Sequence, residues 1–82
     1  MTEDELAKWR ALESETLDDI RLWQIAHAHA HSRALASLRA GDLFGAKLDQ
    51  QHQAHAHVKA RGAILHLAHI RDVISGAYRP PG

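Results

Sequence analysis

The sequence predicts an all-α protein that folds as a long antiparallel helical hairpin and assembles, by dimerisation, into a four-helix bundle. Three observations support this prediction. Glycine and proline, which interrupt helices, are absent from the first 40 residues. Apolar residues recur at intervals of three and four on both sides of the first glycine. The break at Gly41 and Asp42 is only two residues long, and so short a linker forces the helices to run antiparallel.

The first helix is expected over about residues 3–40. Thr2 and Glu5 have the spacing of a capping box, and acidic residues in the first turn suit the positive end of the helix dipole. A break near residues 14–16 is the alternative, because Thr16 could cap a new helix. One apolar face continues past this point and favours a single helix; it comprises Leu6, Trp9, Leu17, Ile20, Trp23, His27, His31, Ala34 and Leu38.

The second helix is expected over about residues 43–75, with Asp42 as its N-cap. Gly41 suits the left-handed conformation that ends the preceding helix. An irregular tail is expected over residues 76–82, which contain two glycines and two prolines. Residues 1–82 are therefore predicted to form a single helical-hairpin domain.

Two seams of three-four spacing run along the second helix. The first seam is expected to pack within the hairpin and comprises Ala56, Ala60, Ala63, Leu67, Ile70 and Ile74. The second seam is displaced by about a quarter turn and comprises Leu48, His52, His55, Lys59, Gly62, His66, His69 and Val73. A helix with two contact seams touches two neighbours, as in a four-helix bundle. With Leu22 and Ile25 on the far side of helix one, this pattern predicts a homodimer or higher oligomer, or binding to another helical protein.

The composition narrows the classes of function. The chain has no cysteine, which excludes disulfide frameworks, thiolate zinc sites and cysteine nucleophiles. It has no apolar run of membrane-spanning length, and its start is acidic rather than basic, so we expect a cytoplasmic protein that does not contact a membrane. Hydrolase and phosphate-loop motifs are also missing, so we expect no enzymatic activity.

The net charge is zero, but the charges are unevenly distributed. Residues 1–20 carry seven acids and two bases, whereas the remaining 62 residues carry eight bases and three acids. Such asymmetry can indicate nucleic-acid binding, which we do not expect here because no aromatic residues are interleaved with the bases. We expect instead that the acidic start pairs with basic residues of the second helix when the chain folds back.

Histidine is the most unusual component, since all eight histidines lie between positions 27 and 69. His27 and His31 are four residues apart, and His52 and His55 are three apart, so each pair lies on one helix face. A turn at 41–42 brings the two pairs to the same level of the hairpin. They are candidate ligands for zinc or another divalent transition metal.

The remaining histidines extend this prediction. His29 and His57 are expected to point away from the candidate site, whereas His66, His69 and Glu13 form a possible second site. Packing is the simpler interpretation of the histidines, and a pH switch is a third, because neighbouring imidazoles repel one another when protonated. The leading expectation is a non-enzymatic interaction protein without a cofactor, serving as an oligomeric adaptor, regulator or assembly component. The alternative is a histidine-rich bundle that binds divalent metal.

Overall fold

The computed structural model describes residues 1–76. Helix α1 spans Glu3–Arg39 and helix α2 spans Leu43–Ser75, and the two pack side by side as an antiparallel hairpin. The hairpin is a flat rod about 58 Å long and 25 Å wide. The predicted hairpin fold is thus confirmed, while the predicted tail lies outside the described residues except at Gly76.

Local hydrogen bonds define the turn between the helices. Gly41 adopts the left-handed conformation with φ of 76°, and the Asp42 N–H donates to the Ser37 carbonyl at 2.8 Å. The Asp42 carboxylate then accepts a hydrogen bond from the Gly45 N–H at 2.8 Å and caps α2. A Cβ at position 45 would press on this carboxylate, which would have to shift to make room for it.

Helix α1 is continuous through residues 14–16, where a break was the alternative. The Thr16 hydroxyl donates to the Leu12 carbonyl at 2.7 Å, one turn earlier, and therefore does not cap a new helix. The cap of α1 is at Thr2, whose hydroxyl accepts from the Glu5 N–H at 3.2 Å. Gly62 likewise lies within an uninterrupted α2.

The buried residues differ between the two halves of the rod. We call residues 1–20 and 63–76 the terminal half, and residues 21–62 the turn half. In the terminal half the buried residues are Thr16, Ile20, Leu67 and Ile70. In the turn half they are Ala30, Ala34, Ala46 and Ala56. Small side chains therefore line the contact between the helices near the turn, and larger ones line it near the termini.

The two seams of α2 differ in burial as the sequence predicts. Every residue of the first seam is buried or half-buried against α1. The second seam is exposed except at Val73, which is half-buried. A single hairpin therefore leaves the second seam uncovered.

The charges separate along the rod, which limits the expected pairing of the acidic start with basic residues of α2 to one ion pair within residues 1–76. The part of α2 beside residues 1–20 is residues 63–76, whose Arg71 and Asp72 cancel. Arg71 pairs with Glu13 at 3.2 Å, but the other six bases of residues 21–76 lie in the turn half, together with only two acids. The folded rod is acidic at the terminal half and basic at the turn half.

Neither helix of the described chain has a stretch that is both long enough and apolar enough to cross a lipid bilayer.

Candidate functional site

Two shallow grooves flank the line of contact between the helices. The Trp23 groove is lined by Leu22, Trp23, Ile25, Ala26, His29, Arg33, His52, His55 and Ala56. The His57 groove is lined by Gln24, His27, His57, Ala60, Arg61 and Ile64. Because the two sets occupy opposite flanks of each helix, the grooves lie on opposite sides of the hairpin. The turn-half histidines are thereby divided between two surfaces.

Two contacts between tryptophan and histidine rings join the helices on the side of the Trp23 groove. The Trp23 and His55 ring centroids are 5.6 Å apart with planes at 80°, an edge-to-face arrangement. Trp9 and His69 repeat this contact at 6.4 Å and 70°. The two contacts are 14 residues apart along both helices, so they recur on the same flank after about four turns.

Leu22 and Ile25 are apolar residues of α1 that line the Trp23 groove. Their side chains are 64% and 55% exposed although both are large and apolar. His52 and His55 of the second seam line the same groove. The structure thus places the uncovered seam of α2 and the uncovered apolar residues of α1 on one continuous face.

The His57 groove is organised by a different set of contacts. The His27 and His57 rings lie 6.1 Å apart between centroids. The Gln53 side-chain amide lies 3.4 Å from His27 Nε2 and 3.4 Å from His31 Nδ1, between the two imidazoles. An amide therefore occupies the space where the i, i+4 histidine pair was expected to hold a metal.

The four residues of the first predicted metal site are not gathered at one point. His27 lines the His57 groove and His31 contacts Gln53 beside it, whereas His52 and His55 line the Trp23 groove. Within residues 1–76 no group of three or more histidine, cysteine or acidic side chains is arranged to hold a metal ion. Metal binding by these residues stays a prediction.

The second predicted site also has other contacts. The Glu13 carboxylate accepts a hydrogen bond from Arg71 Nε at 3.2 Å, and the His69 ring packs against Trp9. His66 is exposed on α2. The guanidinium beside Glu13 offers the positive charge that a metal ion would otherwise supply.

Sequence reasoning misplaced His57, which was expected to point away from the site but contacts His27. His29 lies on the opposite flank of α1 from His27, as expected, and lines the Trp23 groove with His52 and His55. Sequence reasoning also missed Gln53, which touches two of the predicted ligands. Helix angles could have identified the two flanks, because His29 and Leu22 lie seven residues apart and so share a face.

No protein-family model matches this chain, and the comparisons with curated proteins and with solved structures also gave no match.

Proposed function

We propose that this chain is a non-enzymatic interaction protein, an oligomeric adaptor, regulator or assembly component that acts by covering the Trp23 groove. One observation carries the proposal: Leu22 and Ile25 are exposed beside half-buried Trp23, on the same face as the uncovered second seam. Scattered apolar residues are common on protein surfaces, but a continuous apolar face is typical of an interaction site.

The core of the hairpin supports the same proposal. Among residues 1–76, four of the eight buried residues are alanines, and Ile70 is the largest residue that is fully buried. A chain of 82 residues that folds alone removes only about 60% of its unfolded surface from water. Burying Leu22, Ile25 and Leu48 against another helical surface would add the apolar burial that this core lacks.

No catalytic step forms part of the proposal. The residues that line the two grooves are mainly apolar side chains, imidazoles and arginines, without a carboxylate or a hydroxyl. Such a surface suits packing against another helix. The helices would meet as they do in bundles, through side chains that interlock at three-four spacing.

Sedimentation equilibrium of the purified protein tests the proposal. We expect a mass that is a multiple of 9.1 kDa at micromolar concentration, and a melting temperature that rises with protein concentration because association stabilises the folded chain. Leu22→Glu with Ile25→Glu should yield a helical monomer by sedimentation and circular dichroism.

Leu65→Glu provides the matched control. Leu65 is 64% exposed, as Leu22 is, but lines neither groove. This substitution should leave the mass unchanged. A wild-type protein that remains monomeric, or a Leu65→Glu variant that dissociates as readily as the groove variant, would contradict the proposal.

A further inference from the structure

We infer that the surface which covers the Trp23 groove is the same groove of a second copy, turned end for end about a two-fold axis that crosses the rod near Leu22. This inference rests on the proposed function and specifies its partner and orientation. The two hairpins would then form a four-helix bundle in which α1 packs antiparallel to α1 of the partner, and α2 packs antiparallel to α2 of the partner.

The separation of charge along the rod favours this orientation. Residues 1–20 carry seven acids against two bases, and residues 21–62 carry six bases against two acids. An end-for-end arrangement lays the acidic terminal half of each copy on the basic turn half of the other. A parallel arrangement would lay acid on acid and base on base, which complementary interfaces avoid.

The exposed flank of α1 has the same direction of charge along it. We call it the Leu22 stripe; its residues are three and four apart and all exposed: Glu15, Asp18, Leu22, Ile25 and His29. Apolar residues occupy its middle, acids its start and a histidine its end. In an antiparallel pair centred on Leu22, Leu22 would meet the partner's Leu22, Glu15 would meet the partner's His29, and Asp18 would lie beside the partner's Ile25.

The second seam of α2 reads almost the same in both directions. Its order from Leu48 to Val73 is Leu, His, His, Lys, Gly, His, His, Val, at regular three-four spacing. An antiparallel pair centred between Lys59 and Gly62 sets apolar residues against apolar residues at both ends, and histidines against histidines between them. At the centre each lysine meets a glycine, which leaves room for the long side chain.

A single two-fold axis requires the centre of the Leu22 stripe and the centre of the second seam to lie at one level along the rod. The contacts between the helices meet this condition. His27 contacts His57, and Glu13 pairs with Arg71. Counted from these contacts Leu22 is level with Gly62, and counted from the Trp23–His55 contact it is level with Ala56, so the centre between Lys59 and Gly62 falls within this span. The Leu22 stripe and the second seam can therefore share one two-fold axis. Two-fold symmetry is the closed symmetry that most homodimers adopt.

The dimensions also suit a stable dimer. The rod is 58 Å long and 25 Å wide, so its broad side exceeds the ~800 Å² that each partner buries in a standard interface. Such a contact would cover Leu22, Ile25 and Leu48 together.

Disulfide trapping tests the orientation, and the chain suits it because it contains no native cysteine. A cysteine pair links only when the two Cα atoms lie within about 7 Å. In the end-for-end dimer Leu22→Cys lies at the axis and should link to itself under mild oxidation. Ala28→Cys, exposed on the other flank of α1, is the control and should stay unlinked.

Each outcome of this experiment bears on the inference. Preferential linking of Leu22→Cys to Gly62→Cys in a mixture would indicate the parallel dimer and overturn the inference while the proposed function stands. Equal linking of Ala28→Cys would show that another face is used and would also overturn it. A wild-type chain that stays monomeric in sedimentation would refute the proposed function and the inference together.

Charge reversal provides a second, independent test. His29→Glu places a carboxylate opposite Glu15 of the partner at both symmetry-related contacts, so this homodimer should dissociate about tenfold more readily, whereas Glu15→Lys sets a lysine opposite a neutral imidazole and should change association little. In a mixture of the two variants, the heterodimer has one contact of opposite charges, the new lysine with the new glutamate, and keeps the wild-type Glu15–His29 contact at the other. It should associate at least as tightly as the wild type, whereas a mixture that associates no better than His29→Glu alone would overturn the inference.

Discussion

The two halves of the hairpin hold their helices together with different side chains. Near the termini the contact is filled by Ile20, Leu67 and Ile70, and a polar residue, Thr16, is buried by bonding to its own helix. Near the turn the buried residues are all alanines. Large side chains stabilise by the apolar area that they bury, whereas alanines let two backbones approach closely and fix the spacing of the helices. The terminal half should therefore be sensitive to lost volume, and the turn half to added volume.

Ile70→Ala should have the largest effect. Ile70 is 0% exposed, so truncation should lower the free energy of unfolding by about 2–5 kcal/mol through lost burial and the cavity left behind. Ile64→Ala is the control, because Ile64 is 48% exposed and should lose less than ~1 kcal/mol. Urea unfolding at one fixed protein concentration measures both. Similar losses would mean that the terminal core does not dominate stability.

Ala56→Leu tests the turn half in the opposite direction. Ala56 is buried between the helices, and three extra carbons should force them apart, lowering the free energy of unfolding by about 1–3 kcal/mol. Ala54→Leu adds the same volume on an exposed position and should change stability by less than ~0.5 kcal/mol. If Ala56→Leu were stabilising, the alanine contact would be a void rather than a close packing.

The turn itself can be tested with Asp42 and Gly45. Removing the cap with Asp42→Ala should cost about 1 kcal/mol. Gly45→Ala alone should gain little, because the new side chain collides with the capping carboxylate. In the Asp42→Ala background the collision is gone, so Gly45→Ala should stabilise by about 1 kcal/mol through helix propensity. Additive effects of the two changes in this double-mutant cycle would show that the cap and the glycine are independent.

The ion pairs should have the smallest effects. Arg33 pairs with Asp49 in the turn half and Arg71 pairs with Glu13 in the terminal half, each at 3.2 Å. Asp49→Asn and Glu13→Gln should each lower the free energy of unfolding by only about 0.2–1 kcal/mol, and less at high salt. Asp49 is the less exposed of the two carboxylates, at 16% against 25%, so it should contribute more. A loss above ~2 kcal/mol for either variant would indicate a structural role beyond the pair.

Much of the fold could be predicted because its determinants are local in sequence. Thr2 and Asp42 cap their helices through N–H groups three residues away, and Gly41 supplies the left-handed turn. The first seam could be identified because three-four spacing places its residues on one face of α2 whatever the partner is.

The candidate site could be predicted only in part. The sequence correctly brings the histidines of both helices to the same level, as the contact of His27 with His57 shows. It does not decide on which side of the contact line each imidazole lies, because that depends on how each helix is rotated against the other. The predicted pairing of the acidic start is seen at Glu13, which pairs with Arg71, and is limited there for a related reason. Residues 1–20 meet a stretch of α2 that is almost uncharged, and the register of the hairpin keeps the bases away.

By itself, the sequence determined two long helices, a two-residue turn and an uncovered second seam, because capping, glycine placement and helical periodicity act over a few residues. Only the tertiary structure decided that His27 and His55 face opposite grooves, that Gln53 lies between His27 and His31, and that Leu22 is level with the part of α2 between Ala56 and Gly62. These relations depend on the rotation and register of one helix against the other. Packing across the whole contact sets both, since alanines near the turn and larger side chains near the termini must fit at once.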